Sequence, residues 1–181
     1  FIRCRPKVAK ALQVVAQAVG FALVLASPAL AAGVPSSAVV IDELRRSGLR
    51  GRGGAGFSTA LKWDACRNAP VPVGGCRVVV CNADEGEPGT FKDRVLLNSH
   101  ADLVFEGMTV AAMAVGARRG FLYLRGEYRH LLETLEAVLV RRREAGLLGE
   151  GILGIAGADF DIEIHLGAGA YVCGEESALI E

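Results

Sequence analysis

The chain has 181 residues, 51% apolar and 22% charged, enough for one domain with a packed core and unlike a disordered chain. Lys plus Arg and Asp plus Glu both total 20, so no net field draws nucleic acid or an anionic membrane. Aromatics are 6%, too few for a base-stacking surface, and the five cysteines contain no C-x-x-C pair, so no zinc or cluster motif can be read from them. An odd cysteine count without a framework suits free thiols in a reducing compartment, with Cys76, Cys81 and Cys173 expected as small buried side chains.

Residues 1–36 read differently from the rest. Arg3, Arg5, Lys7 and Lys10 precede an apolar run from Ala18 to Ala26, then Pro28 and Ala29-Leu30-Ala31. That is the order of a secretory signal, and the run is too short for a membrane span. An apolar helix from Val8 to Leu25 and upstream sequence joined to the domain are the competing readings. Gly33 to Ser37 reads as a linker, so the domain is expected over residues 37–181.

Ser36 or Ser37 can cap a helix running to Ser47, with Gly48 ending it. Five glycines then fall in the nine residues from Gly48 to Gly56, interleaved with Arg50 and Arg52. Such a loop exposes backbone N–H groups to an anion, most often a phosphate. Gly51, Gly53 and Gly56 satisfy G-x-G-x-x-G, but a helix precedes them where the dinucleotide fingerprint requires a strand. Thr59 to Cys66 suits a short helix. Cys76 to Cys81 is nearly continuous in apolar character, as in a buried strand, and Asn82 to Gly89 is a polar loop at its carboxyl end. Leu103 to Val115 reads as a small-residue helix and Gly120 to Leu124 as a second buried strand. Tyr128 to Arg143 reads as a long helix ending in three solvated arginines, Arg141 to Arg143. Phe160 to Leu166 alternates like a half-buried strand, and Gly167 to Ala170 opens a second glycine loop. The order of elements predicts a layered α/β domain.

Three constellations carry chemistry. Lys62 follows the first glycine loop, where an ammonium can meet a phosphate. Asp84, Glu85 and Glu87 crowd a turn after Asn82, a set suited to hydroxyls and ring N–H groups as well as to a solvated acidic turn. The spacing does not match an EF-hand. Glu175 and Glu176 follow the second glycine loop, where they also suit the first turn of a helix. His100, His130 and His165 stand isolated, without a visible nucleophile.

At three segments, GLRGRGGAGFSTALKW (48–63), NADEGEPGTFKDR (82–94) and GAGAYVCGEESALIE (167–181), the chain resembles the FMN-bearing, NADH-oxidising 51 kDa-type subunit of respiratory complex I. Relatives of that subunit are the diaphorase subunits of NAD-reducing hydrogenases and NAD-dependent formate dehydrogenases. The second glycine motif resembles the hydrogenase and formate dehydrogenase branch more. The resemblance implies a Rossmann-like FMN-binding domain, here incomplete at its carboxyl end, that transfers hydride from NADH to FMN. It implies cofactor contacts from Gly51, Arg52, Gly53, Gly54, Gly56 and Lys62, with ribityl and ring contacts from Asn82, Asp84 and Glu85. It also implies Phe57 against adenine, Glu87 at the nicotinamide, and Tyr171, Gly174, Glu175 and Glu176 in the cofactor site. Ser58 and Ala60 stand where the family often has Pro and Gly. Electrons are implied to leave through a 4Fe-4S cluster bound further downstream, towards other subunits of a multi-subunit oxidoreductase. The implied place is the cytoplasm, reaching the inner face of the membrane only through partners. A truncated or fused non-catalytic remnant is the alternative reading.

Overall fold

The computed structural model describes residues 12–13, 36–52 and 55–169. Four parallel strands form one sheet in chain order: β1 (Leu12–Gln13), β2 (Val78–Ala83), β3 (Arg119–Leu124) and β4 (Asp161–Leu166). The helices are α1 (Ser37–Ser47), α2 (Thr59–Asn68), α3 (Lys92–Val115) and α4 (Leu132–Glu144). Parallel neighbours need crossovers, which α3 and α4 supply. Strands laid down in one direction by right-handed crossovers put their helices on one face. Accordingly α3 packs on β2 and β3, and α1, α2 and α4 all pack on α3. Phe105, Met108, Ala111, Ala112 and Val115 of α3 are buried at the centre of this layer, against Leu122 and Leu124 of β3.

The expected α/β class is the observed one. Leu12 and Gln13, inside the segment read as signal, helix or joined sequence, pair with Val79 and Val80 as an edge strand. The Gly48 terminus of α1 is as expected, with φ +64°. Its start differs: Ser36 makes no side-chain cap bond, and the Ser37 hydroxyl donates to the Met113 carbonyl at 3.1 Å. β2 begins two residues later than the apolar run, because Arg77 is taken up elsewhere. Its guanidinium donates to the Cys66, Arg67 and Ala69 carbonyls and closes the carboxyl end of α2. The helix expected from Leu103 begins at Lys92, with a break at His100 (φ −139°). The helix expected from Tyr128 is a 3-10 turn over Gly126–Leu131 leading into α4.

Two expectations about side chains are corrected. Arg142 is not solvated: it is 7% exposed, donates to the Asp102 carboxylate, and ties α4 to α3. Arg143 donates to Asp161 at 3.0 Å and to the Ile162 carbonyl at 3.0 Å, tying α4 to β4. Helix-end arginines with long apolar stems serve here as tertiary ties. Cys66 and Cys81 are buried, but Cys76 is exposed in the connection before β2; Cys173 lies outside the described residues. Burial pushes the Cys66 thiol up, with Arg77 acting against it.

Among the described residues, no helix is long and apolar enough to cross a membrane, and no group of His, Cys, Asp or Glu is gathered as for a metal ion.

Candidate cofactor site at the carboxyl edge of the sheet

The registers make the site. Arg119 lies between Val78 and Asp161, and Leu124 between Ala83 and Leu166, so β2, β3 and β4 end level. The residues that follow, Asp84, Arg125 and Gly167, therefore leave the sheet side by side. Ligands of open parallel sheets bind at this edge.

The acidic turn is sorted by burial. Asn82 Oδ1 accepts the Asp84 N–H at 3.0 Å, and the Gly86 N–H donates to the Asp84 carbonyl at 3.1 Å. This is the local turn chemistry expected of an Asx residue. Glu85 then points inward, with a side chain 2% exposed. Its carboxylate accepts the backbone N–H groups of Asp93 (3.1 Å) and Arg94 (3.3 Å) and the Tyr128 hydroxyl (2.9 Å). Phe91, at the N-cap of α3, offers no capping side chain. Glu85 caps that helix from the strand side, where a carboxylate also meets the positive end of the helix dipole. Burial disfavours the Glu85 charge, but the Asp93 N–H, the Tyr128 hydroxyl, the Arg94 N–H and the nearby Lys92 outweigh it. Its pKa therefore lies below the ordinary glutamate value.

Asp84 is the converse. Its Oδ2 is buried and, among the described residues, has no hydrogen-bond partner. Burial raises its pKa, Arg125 opposes the rise and Glu127 adds to it. An orphaned carboxylate oxygen at a strand end calls for a donor that the surrounding described residues do not provide. Glu87 is exposed, and its carbonyl accepts from Thr90.

Glycine backbone packs closely at the same strand ends. The Gly167 N–H donates to the Leu124 carbonyl at 2.7 Å. A Cβ on Gly126 would stand 2.7 Å from the Gly167 carbonyl oxygen, and one on Gly167 would stand 3.1 Å from the Tyr123 ring. Glycine is required there for space, because the second glycine loop seats directly on the end of β3.

The first glycine loop is a closed turn. The Gly51 N–H donates to the Phe57 carbonyl at 2.8 Å and the Thr59 N–H to the Leu49 carbonyl at 3.0 Å, while Arg50 pairs with Ser58 in an antiparallel bridge. The Gly51 amide is thus spent inside the loop. Gly56 takes φ +62°, Arg52 is exposed, and the Phe57 ring is 57% exposed beyond the loop. Ser58 caps α2 through Leu61 N–H, and Lys62 is half-buried one turn on. The cap is long, at 3.5 Å. Ser58→Ala is therefore expected to cost only about 0.5 kcal/mol in a urea unfolding curve, at the low end for cap removal.

The hydrogen bonds above gather Asn82, Asp84 and Glu85 with Arg125 and Tyr128. Gly53, Gly54, Tyr171, Gly174, Glu175 and Glu176 lie outside the described residues. Sequence reasoning missed Arg125-Gly126-Glu127-Tyr128, the segment touching both the acidic turn and the second glycine loop. The signal was available: this polar run directly follows a buried strand of a parallel sheet.

A family model described as the Nuo51 FMN-binding domain matches residues 44–181. The alpha subunit of the NAD-reducing hydrogenase HoxS of Cupriavidus necator is 61% identical over 142 residues, which are 78% of this chain and 23% of that protein. A subunit of the NADH-quinone oxidoreductase of Escherichia coli is 46% identical over 142 residues, 78% of this chain and 31% of that protein. A crystal structure of NAD+-reducing NiFe-hydrogenase in its hydrogen-reduced state is similar at TM-score 0.71 and 51% identity, over 81% of this chain and 24% of that chain. The chain thus spans about a quarter to a third of the curated relatives it matches. With the family model covering most of its length, at the strand ends and both glycine motifs, the chain belongs to the Nuo51 FMN-binding domain family.

Proposed function

We propose that this chain forms the FMN- and NADH-binding part of an NADH-oxidising flavoprotein subunit, in which hydride passes from NADH to FMN and electrons go on to iron–sulfur clusters of a larger complex. The observation that carries the reading is Asp84 Oδ2, buried at the level strand ends and without a hydrogen-bond partner among the described residues. A flavin brings the donors that this oxygen is suited to accept from: a hydroxylated chain and a ring N–H. Bound FMN supplies the redox chemistry, and the protein supplies orientation and electrostatics.

In this reading Asn82 and Asp84 accept from the ribityl chain and ring edge, with Glu85 anchoring their turn. Lys62 and the amides at the tip of the first glycine loop hold phosphate, although the Gly51 amide is already spent. Exposed Phe57 offers its face to adenine, and exposed Glu87 meets the nicotinamide side. Tyr171, Gly174, Glu175 and Glu176 complete the site from the second glycine loop. Partner subunits and any approach to a membrane through them belong to the same proposal. The names of the two relatives above, subunits of an NAD-reducing hydrogenase and an NADH-quinone oxidoreductase, support it.

The test is an FMN titration followed by anaerobic NADH. It is made on this chain and on a chimera in which it replaces the matching 142 residues of the Cupriavidus necator subunit. The expected result is flavin held by the chimera and bleached by NADH. A chimera that folds but takes up no flavin, or holds flavin that NADH does not bleach, would sink the reading.

A further inference from the structure

Arg125 brackets Asp84. The residue before Asp84 and the residue after it each offer a carbonyl, and both carbonyls accept from Arg125. Its backbone N–H donates to the Ala83 carbonyl at 3.2 Å, and its Nη1 donates to the Glu85 carbonyl. The other guanidinium edge is occupied: Nη2 donates to Glu127 at 2.8 Å, and the group lies 5.8 Å from the centre of the Tyr128 ring. Tyr128 in turn donates to the Glu85 carboxylate. Glu85 is thus gripped by its main chain through Arg125 and by its side chain through Tyr128 and the first turn of α3.

The consequence falls on Asp84. Its N–H goes to Asn82, its carbonyl accepts from Gly86, and the carbonyls on either side are held by Arg125. Every main-chain direction around the residue is fixed, and what remains over is the buried Oδ2. Both terminal nitrogens of Arg125 donate within the protein, so its effect on a ligand is drawn through Asp84.

We propose that Arg125 and Tyr128 are positioning residues of the cofactor site, which hold the 83–86 turn so that Asp84 presents its unpaired oxygen to a flavin's hydrogen-bond donors. The flavin as ligand rests on the function proposed above; the holding of the turn rests on the contacts alone. A ligand acceptor aimed in advance spares the ordering cost on binding, and a guanidinium that bridges the Glu85 carbonyl and the Glu127 carboxylate is held more firmly than a single ammonium would be.

The experiment compares Arg125→Gln, Arg125→Lys and Tyr128→Phe with Arg119→Gln, which removes an arginine from the opposite end of the same strand. Amide exchange is read at Asp84 and Gly86 without ligand, and FMN affinity and the visible flavin spectrum are read in the chimera. Arg125→Gln is expected to speed exchange at Asp84 and Gly86 and weaken FMN, each about tenfold or more, the loss of a charge-assisted hydrogen bond. The α3 amides keep their protection, Arg125→Lys recovers part of the affinity, and Tyr128→Phe shows a smaller loss in the same places. Exchange at Asp84 and Gly86 and FMN affinity matching those of Arg119→Gln would overturn the proposal. If the unsubstituted chimera takes no FMN, the flavin reading fails. Exchange then decides by itself whether Arg125 holds the turn.

Discussion

Glu85→Ala is expected to destabilise the folded chain by about 3–5 kcal/mol, because it leaves two N–H groups of the first turn of α3 and the buried Tyr128 hydroxyl without an acceptor. Glu85→Gln keeps one acceptor oxygen and loses the charge, for about 1.5–3 kcal/mol. Urea unfolding at neutral pH measures both, and a Glu85→Ala curve within 1 kcal/mol of the parent, roughly the net worth of one ordinary hydrogen bond, would refute the capping role. The pH dependence has a definite sign. The folded Glu85 pKa lies below its unfolded value, so its ionised form favours the folded state. That contribution is complete above the unfolded value and is lost as pH falls through the folded one. The gap between parent and Glu85→Gln should therefore be full near neutrality and close in acid. Asp84 has the opposite sign. Burial raises its pKa, so the ionised form disfavours folding, and Asp84→Asn should relieve that cost at neutral pH.

Gly126→Ala is expected to cost about 1–3 kcal/mol and to displace the second glycine loop. The added Cβ would lie 2.7 Å from the Gly167 carbonyl oxygen and 3.3 Å from the Gly169 nitrogen. Both are backbone atoms, which cannot turn aside as a side-chain tip can. The loop must lift, or β3 must give way in a sheet that pairs Leu124 with both Ala83 and Leu166. In the proposed site the same substitution should abolish flavin uptake by the chimera, since it disturbs the floor between Asp84 and the second glycine loop. A Gly126→Ala chain that melts and binds FMN like the parent would show that the loop does not depend on this seat.

Much of the fold was written locally. The β-branched run before Asn82 and the alternation after Phe160 gave strands near their observed places, and Gly48 ended α1 as its conformational freedom allows. The three glycine and acidic motifs gave the family resemblance. Other features had no local signal. The first half of α3 carries no capping side chain at its own N-cap, so nothing nearby announces a helix at Lys92; the cap is Glu85, on the far side of the turn. Arg142 looks like any helix-end arginine until Asp102, 40 residues away, takes it inward.

The same division runs through the candidate site. The sequence by itself determined which residue types would stand at the end of β2: an Asn, then three carboxylates within four residues, in the order that also marks the family. It could not say which carboxylate would be consumed by the fold and which left over, since Asp84 and Glu85 are adjacent and chemically alike. The tertiary structure decided this through partners 40 and 43 residues away: Arg125 on the Glu85 carbonyl and Tyr128 on its carboxylate. The level ends of β2 and β3 bring those partners there. A buried carboxylate is tolerated where donors converge on it, and the donors converge on Glu85, leaving the buried Asp84 Oδ2 without one among the described residues.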